Sequence, residues 1–469
     1  MKAWSKEKIS TTALVLLIIG SIDNVRNLPA TALFGSSLIF FFTLSALLFL
    51  IPVALITAEL ASTWPEDEGG IYSWVKHAFG KRWAFVTIWL QWVNTMVWYP
   101  TILMFIAGNF AYLINPELAQ NKFFLITCML VIFWSLTYLS SKGIKNSTRF
   151  TSFCTIVGML LPLCIIIVLA VIWLIQGQPM AIKFSLDSMI PDLHHPESLS
   201  SLTAIMTSFL GMELSAVHVR NIHKPQQNFP RAMLLSVLLI LFTMIFGSLA
   251  IAFVLPASKI SLVNGVMQAF TNFLAVYHLS AFMPLLIVLM LVGSLGFMIN
   301  WIIAPAKGLA LAVTDGFLPE RLYRLNQHGV PSRILLLQAI LLTLFCAIFL
   351  FIHSINEIYW FFTDLSTELY IMMYVFMFFA AIKLKNKFSH RKRLFTVPGK
   401  KMGYYTACMF GLMGCGVTLM IGFFPPEASL GIMNLHEFQY CFGFGMVLVL
   451  IPCFIMILRQ KKRFTKIEP

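Results

Sequence analysis

Charge is what this sequence has least of. Asp, Glu, Lys and Arg make up 11% of its 469 residues, and none falls between Arg149 and Lys183. With 59% of the chain hydrophobic, too little polar surface remains to clothe a soluble domain of this length. Catalytic signatures are missing too: there is no HExxH, no Walker A loop and no Gly-x-Ser-x-Gly elbow. His194-His195 lies in a connecting segment, and His218 and His223 flank the end of one apolar run, so no metal or base set forms. These absences point away from an enzyme, and no metal or cofactor is expected. The eight cysteines fall almost entirely inside apolar runs without paired spacing, which suits small core residues better than disulfides. No repeated filter of the kind a channel needs is visible.

What is present in quantity is apolar length, with 43 Phe and 25 Met. The chain divides into twelve apolar runs of about 20 residues, the length that crosses a hydrocarbon core of about 30 Å. They lie near 11–34, 37–60, 83–114, 123–140, 151–176, 202–218, 232–255, 281–313, 334–352, 357–382, 403–424 and 438–458. An all-α membrane protein with twelve transmembrane helices is expected, with the lipid bilayer as its surroundings. The start of the chain, basic and then apolar, faintly resembles a signal peptide. Its run leads into Asp23 and Arg26 instead of a small-residue cleavage site, so it reads as the first helix.

The net charge of +14 is explained by position. With the N-terminus in the cytoplasm, 29 of the 33 Lys and Arg residues fall in inner segments, and only Lys122, Lys183 and Lys259 in outer ones. This is the positive-inside pattern of an even number of spans with both termini cytoplasmic. The basic stretch Lys383 to Lys401 is then a loop near anionic lipid, and no nucleic-acid partner is expected. Asn146-Ser147-Thr148 fits a glycosylation acceptor on paper, but the charge map puts it inside the cell.

One stretch breaks the pattern. Gly20-Ser21-Ile22-Asp23-Asn24-Val25-Arg26-Asn27-Leu28-Pro29 puts two opposite charges inside the first run. A charge at mid-depth costs about 3 kcal/mol or more, so such a segment survives where it lines a hydrated, protein-walled cavity. The sixth run repeats the device at Gly211-Met212-Glu213-Leu214-Ser215. Amphipathic segments follow in parallel, on the inner side at 61–82 and on the outer side at 256–280. Similar features recurring after five spans on opposite sides of the membrane predict an inverted-topology repeat. The repeat boundaries expected are 1–176 and 177–401, with two further helices and a short cytoplasmic tail over 402–469.

Broken helices offer polar ends near mid-membrane, a setting that suits a zwitterion. Arg26 is able to grip a carboxylate in a bidentate way, while Asp23 and Glu213 supply counter-charge. Asp23 and Arg26 pairing with one another is the competing possibility. The third run is longer than a straight crossing requires, implying tilt, and carries Tyr99-Pro100, a kink beside a phenol on a possible pathway. In the tenth run Asp364 and Glu368 share one face, and Tyr370 and Tyr374 another, about 200° of helix separating Glu368 from Tyr370. Only one pair can face the cavity. Glu368, about 18 Å from the outer end, is a candidate for proton coupling or for a structural pairing.

Five stretches in order carry a resemblance: Gly69-Gly70-Ile71-Tyr72-Ser73-Trp74, Gly211-Met212-Glu213-Leu214-Ser215-Ala216, Trp301-Ile302-Ile303-Ala304-Pro305-Ala306-Lys307-Gly308, Asp315-Gly316-Phe317-Leu318-Pro319 and Phe395-Thr396-Val397-Pro398-Gly399. Along its whole length the chain resembles the amino acid-polyamine-organocation superfamily, closest to the bacterial glutamate:gamma-aminobutyrate antiporters. The resemblance implies a LeuT-like five-plus-five fold with two extra helices, placed in the bacterial inner membrane. It implies exchange of small-molecule amino acids by alternating access. The family's site residues match at Glu213, Trp301, Tyr370 and Tyr374.

The departures bear on substrate. The Gly-Ser-Gly of the wider superfamily's first helix is absent, Arg26 stands near an aromatic position, and Phe297 stands where the acid-resistance antiporters suggest an acidic residue. An added cation and a lost anion favour an anionic or neutral amino acid. No Lys in the fifth run can replace a sodium ion, and no Ser or Thr between Leu295 and Val313 can complete a sodium site, which leaves exchange. A proton-coupled symporter and a non-transporting sensor of the same fold are the alternatives. The tail after Arg459 is too short to fold back far as a pH-gated plug.

Overall fold

The computed structural model describes residues 9–65, 70–142, 147–183, 185–191, 196–322, 325–348, 355–391, 393, 395–424 and 434–464. The acidic turn Glu66-Asp67-Glu68-Gly69, Asn146, His194-His195 and the segment from Thr465 lie outside them, as do the side chains of His218 and Arg220.

Every apolar run becomes helix. A hydrocarbon solvent offers the backbone no partner, so its N–H and C=O groups must satisfy each other within the segment. The first crossing is split into α1 (Thr11–Ile22) and α2 (Leu28–Ala32) by a 3-10 turn at Val25–Asn27. The second joins α3 (Leu38–Ser45) to α4 (Ile51–Thr63) through a π turn. Then come α5 (Ile71–Phe79), α6 (Lys81–Ile114) and α7 (Lys122–Ser141). The fifth crossing is α8 (Ser147–Thr155) and α9 (Leu161–Ile175), again joined by a π turn, at Ile156–Leu160. The second half runs through α10 (Leu186–Met189), α11 (Pro196–Thr207), a 3-10 turn at Met212–Asn221, α12 (Pro225–Val254) and α13 (Gly265–Val276). It continues with α14 (Met283–Thr314), α15 (Ser332–Ile348), α16 (Ile355–Lys387), α17 (Lys400–Ile421) and α18 (Leu435–Phe464).

Among the described residues ten helices are long and apolar enough to cross a membrane. The sixth and ninth runs appear as shorter apolar helices, Leu202–Ala216 and Ser332–Ala347. The sixth is short for a physical reason: its regular helix stops at Thr207 and gives way to the turn that holds Glu213. α6, with 34 residues, is about 51 Å long at 1.5 Å per residue and so must tilt to fit a core of about 30 Å.

α6 is the central post, packed along α16, α14, α5 and α7. α18 stands at the rim, its Phe444, Val447, Leu448 and Phe454 exposed, as lipid-facing side chains can be at no cost. Gly158 in the π turn of the fifth crossing lies against Gly293 in α14, main chain to main chain. A Cβ on either would overlap the other's main chain. Small residues at helix contacts replace the hydrophobic drive that lipid removes.

At one end of the bundle the basic residues find partners. Buried Glu59 of α4 accepts from Lys385 Nζ at 2.6 Å, from Arg393 and from the Val397 N–H at 2.8 Å. Asp315, just past α14, is held by Lys76 at 2.6 Å, Lys81 at 3.1 Å and the Tyr72 hydroxyl at 2.5 Å. These two clusters tie α4, α5, α14 and α16 together on the side with the positive charge.

Candidate functional site

The break in the first helix is built by local rules. α1 ends at Ile22, and Asp23 and Asn24 run extended. The Asn24 carboxamide oxygen then accepts the Arg26 N–H at 2.9 Å, capping the 3-10 turn. The carbonyl of Ser21, in the last turn of α1, has no helical donor ahead of it. The indole N–H of Trp301 supplies one at 3.1 Å.

The second break depends on Gly211. Its φ of +106° is a region that side chains avoid, and a Cβ there would meet Trp301 at 2.9 Å and the Ser21 carbonyl at 3.2 Å. The two breaks therefore touch through Trp301 and Gly211. Beyond the glycine, the Glu213 carboxyl is buried and fully engaged. It accepts from the Tyr370 hydroxyl at 2.5 Å, from Gln91 Nε2 at 3.0 Å and from the Tyr374 hydroxyl. The Tyr374 oxygen in turn accepts the Gly211 N–H at 3.1 Å. Both tyrosines lie on α16, so this set latches α16 to the break in the sixth crossing.

α6 supplies a polar stripe at Gln91, Asn94, Trp98 and Thr101, spacings of three and four that put them on one helical face. Asn94 donates to the Ser366 carbonyl at 2.5 Å. Arg26 donates to Thr101 Oγ1 at 2.5 Å and to Asn27 Oδ1 at 2.9 Å, and its guanidinium lies 5.3 Å from the Trp98 ring centroid. Trp98 packs against Trp301 at 5.1 Å and Phe297 at 5.6 Å, and Trp301 against Tyr370 at 6.1 Å.

Between these walls lies a cavity of about 20 Å³, room for about one water molecule and so a closed form of a binding pocket. Arg26, Asn24, Asn27, Asn94 and Thr207 give it polar groups, and Trp98, Phe297 and Trp301 an aromatic wall. Among the described residues that line it there is one cation and no carboxylate. A few convergent polar groups in an aromatic pocket are what binds and orients a small molecule.

The residues singled out in the sequence divide accordingly. Arg26 and Trp301 line the cavity. Gly211, Glu213, Tyr370 and Tyr374 form the latch directly beside it. Asp23 turns to α12, where Thr243 donates to its Oδ2 at 2.6 Å. Tyr99 reaches behind the wall and donates to the Trp301 carbonyl at 2.8 Å. Asp364 and Glu368 are not part of the site. The α16 tyrosines face it, and Glu368 turns toward Gly422 beyond α17. Sequence reading missed Gln91, Asn94, Trp98 and Thr101 on α6, although polar groups at 91, 94 and 101 around an aromatic at 98 mark one face in an apolar run.

Outside the membrane-crossing segments the electrostatics are those of the Asp315 cluster. Burial alone would raise the Asp315 carboxyl, but the hydrogen bonds from Lys76, Tyr72 and Lys81 and the Lys76 charge outweigh it and hold it below the usual carboxylate range. The same burial, with the bond to Asp315 and its charge, pushes the Tyr72 phenol up.

Comparison with known proteins agrees with this architecture. Residues 9–449 match the family model described as amino acid permease. An uncharacterized transporter of Legionella pneumophila is 39% identical, over 96% of this chain and 96% of its own. A glutamate/gamma-aminobutyrate antiporter of Lactococcus lactis is 29% identical over 98% of this chain and 92% of its own. A probable agmatine/putrescine antiporter of the same species is 24% identical, over 84% and 83%. With two broken helices meeting at a central cavity inside a multi-span bundle, and a family model matched over nearly its whole length, the chain belongs to the amino acid permease family.

Proposed function

We propose that this permease is an antiporter that exchanges amino acids across the bacterial cytoplasmic membrane by alternating access, and that its substrates are anionic or neutral. The named relatives do not share one substrate charge: one name carries glutamate, the other agmatine and putrescine, which are cations. The observation that carries the choice is the cavity lining, in which the buried Arg26 is the one charged side chain among the described residues. A cation in a low-dielectric wall favours a carboxylate through charge-assisted hydrogen bonds and disfavours a second cation. In this reading Arg26 takes the substrate carboxylate and Trp98, Phe297 and Trp301 enclose its carbon skeleton.

The latch of Glu213 to Tyr370 and Tyr374 then holds α16 against the second break, and its opening is part of the change of access. The two halves, 1–176 and 177–401, move as inverted repeats around the breaks, followed by the helices of 402–469, with both termini in the cytoplasm. Charge bias supports that orientation.

The test is uptake of labelled glutamate, glutamine, gamma-aminobutyrate, arginine and agmatine into proteoliposomes loaded with unlabelled amino acid or left empty. Uptake of anionic or neutral substrates into loaded vesicles only is expected. Equal uptake into empty vesicles under a proton gradient would make the protein a symporter. A preference for agmatine would overturn the role of Arg26. Glu213→Gln, which keeps the shape of the side chain, is expected to slow exchange; unaltered kinetics would make Glu213 structural.

A further inference from the structure

α16 carries a second polar feature on its other side. Asp364 and Glu368, one turn apart, are both buried, at 2% and 0% exposure. Neither oxygen of Glu368 has a hydrogen-bond partner, and neither has Oδ1 of Asp364. Of the other buried carboxyls, Glu59 and Glu213 have three donors each, Asp315 has Tyr72, Lys76 and Lys81, and Asp23 has Thr243 on Oδ2 with its Oδ1 unpartnered; Glu368 alone among these has neither oxygen bonded. The niche is also shaped for the group it holds. A Cβ on Gly422, just beyond α17, would coincide with the Glu368 carboxyl.

Among the described residues the surroundings supply no counter-charge. From α17 the titratable neighbour is Cys415, close enough to sense Glu368. α6 has no charged residue between Arg82 and its end at Ile114. From α11, Thr207 is engaged with Thr367 at 2.6 Å. His436 and Glu437 sit at the outer start of α18. The inner end of α16 meets α4 and α5, where Lys385 is committed to Glu59, Lys76 to Asp315, and His77 lies near Trp64. Two carboxylates one turn apart, three of their four oxygens without a donor and no cation against them among the described residues, cannot both stay ionised in a membrane interior. A metal cation would require several oxygen ligands around it. A proton requires one.

We infer that Asp364 and Glu368 form a proton-binding site on the α17 side of α16, separate from the substrate cavity and from Glu213. The proton adds to a carboxylate oxygen and no bond to carbon changes. Because the same helix presents Tyr370 and Tyr374 to Glu213, a movement of α16 that exposes the pair to water also disturbs the latch. Loading and release of the proton then tune the exchange rate. That consequence rests on the transport reading above; the binding of the proton does not.

The direct experiment is the infrared difference spectrum between wild-type protein and D364N/E368Q, recorded on purified protein across the pH range in which both stay folded. A protonated-carboxyl stretch present in wild type and absent from the variant is expected, with an intensity that changes with pH. Only ionised-carboxylate bands at every pH, or carboxylate bands that shift with sodium, would overturn the proposal. The side chains in D364N and E368Q are close in shape to neutral carboxyls, so both single variants are expected to fold. For exchange in proteoliposomes, the expected outcome is a pH profile flattened in E368Q and in D364N with substrate affinity unchanged. Profiles that superpose on wild type, while the infrared band is present, would keep the proton site and remove its coupling to transport.

Discussion

The guanidinium of Arg26 lies 5.3 Å over the ring of Trp98, and that stacking fixes the direction in which the only cation in the described cavity lining points. Trp98 is held in turn between Phe297 and Trp301, so the charge is carried by an aromatic platform and not by a flexible stem. Arg26→Lys keeps the charge but loses both the planar fork and the stack. A hydrogen bond to a charged group is worth about 1.5–3 kcal/mol, so loss of one bidentate arm lowers carboxylate affinity about tenfold or more. Titration calorimetry on purified protein checks this. An unchanged dissociation constant in Arg26→Lys and Arg26→Gln would remove Arg26 from the site.

Tyr99 acts on the cavity from behind. Pro305 lies four residues after Trp301 in α14 and has no N–H, so the Trp301 carbonyl loses its helical donor. The Tyr99 hydroxyl replaces that donor at 2.8 Å. Tyr99→Phe leaves a buried carbonyl unsatisfied, at a cost of about 1–3 kcal/mol. A lowered Tm is expected, together with weaker substrate binding as Trp301 loosens. Equal Tm and equal affinity would show that water or another group takes over the carbonyl.

How much of this was legible in the sequence follows from what each signal measures. The breaks at Asp23-Arg26 and Gly211-Glu213 were visible because charge and glycine inside an apolar run have few physical explanations. Pairing of faces was not. Asp23 and Arg26 are three residues apart, yet the extended backbone at Asp23 and Asn24 turns Asp23 to Thr243 on α12 and Arg26 to Thr101 on α6. A helical count assumes continuous helix and fails at a break. On continuous α16 the same count worked, separating the face of Tyr370 from the face of Glu368. The contribution of α6 went unread because Gln91, Asn94 and Thr101 look unremarkable singly, and their shared face matters only once Arg26 and Ser366 are placed opposite.

Close packing of the fifth and eighth crossings gives a stability prediction independent of substrate. Gly158 and Gly293 meet main chain to main chain, so an added methyl has no flexible side chain to displace. Gly293→Ala is expected to cost about 1–3 kcal/mol through overpacking. Gly416→Ala on α17 is the control, since a Cβ there meets nothing within 4 Å. Thermal unfolding in detergent should show a drop for the first and none for the second. Equal melting of both would mean that the two crossings are not in contact at Gly158.

The Asp315 cluster predicts a pH dependence whose sign can be worked out. Its carboxyl is held below the ordinary value of 3.8 in the folded protein by Lys76, Tyr72 and Lys81, against the opposing effect of burial. A group whose value is depressed on folding binds fewer protons in the folded state than in the unfolded one, so it adds stability above its unfolded value. That contribution is complete at neutral pH, begins to fall as the pH approaches the unfolded value near 3.8, and is gone below the folded value. Asp315→Asn removes the charge that Lys76 and Lys81 face and so lowers Tm at neutral pH. The gap between wild type and variant should close on acidification through that window, and it should narrow in high salt because Lys81 is exposed. Because Gln460 of α18 donates to the Asp315 main-chain carbonyl at 2.9 Å, that bond survives the substitution and α18 stays docked. Melting curves of both proteins at neutral pH and below the usual carboxylate range decide it: a gap that stays constant on acidification would mean that the cluster is held by shape and hydrogen bonding, with no contribution from the Asp315 charge.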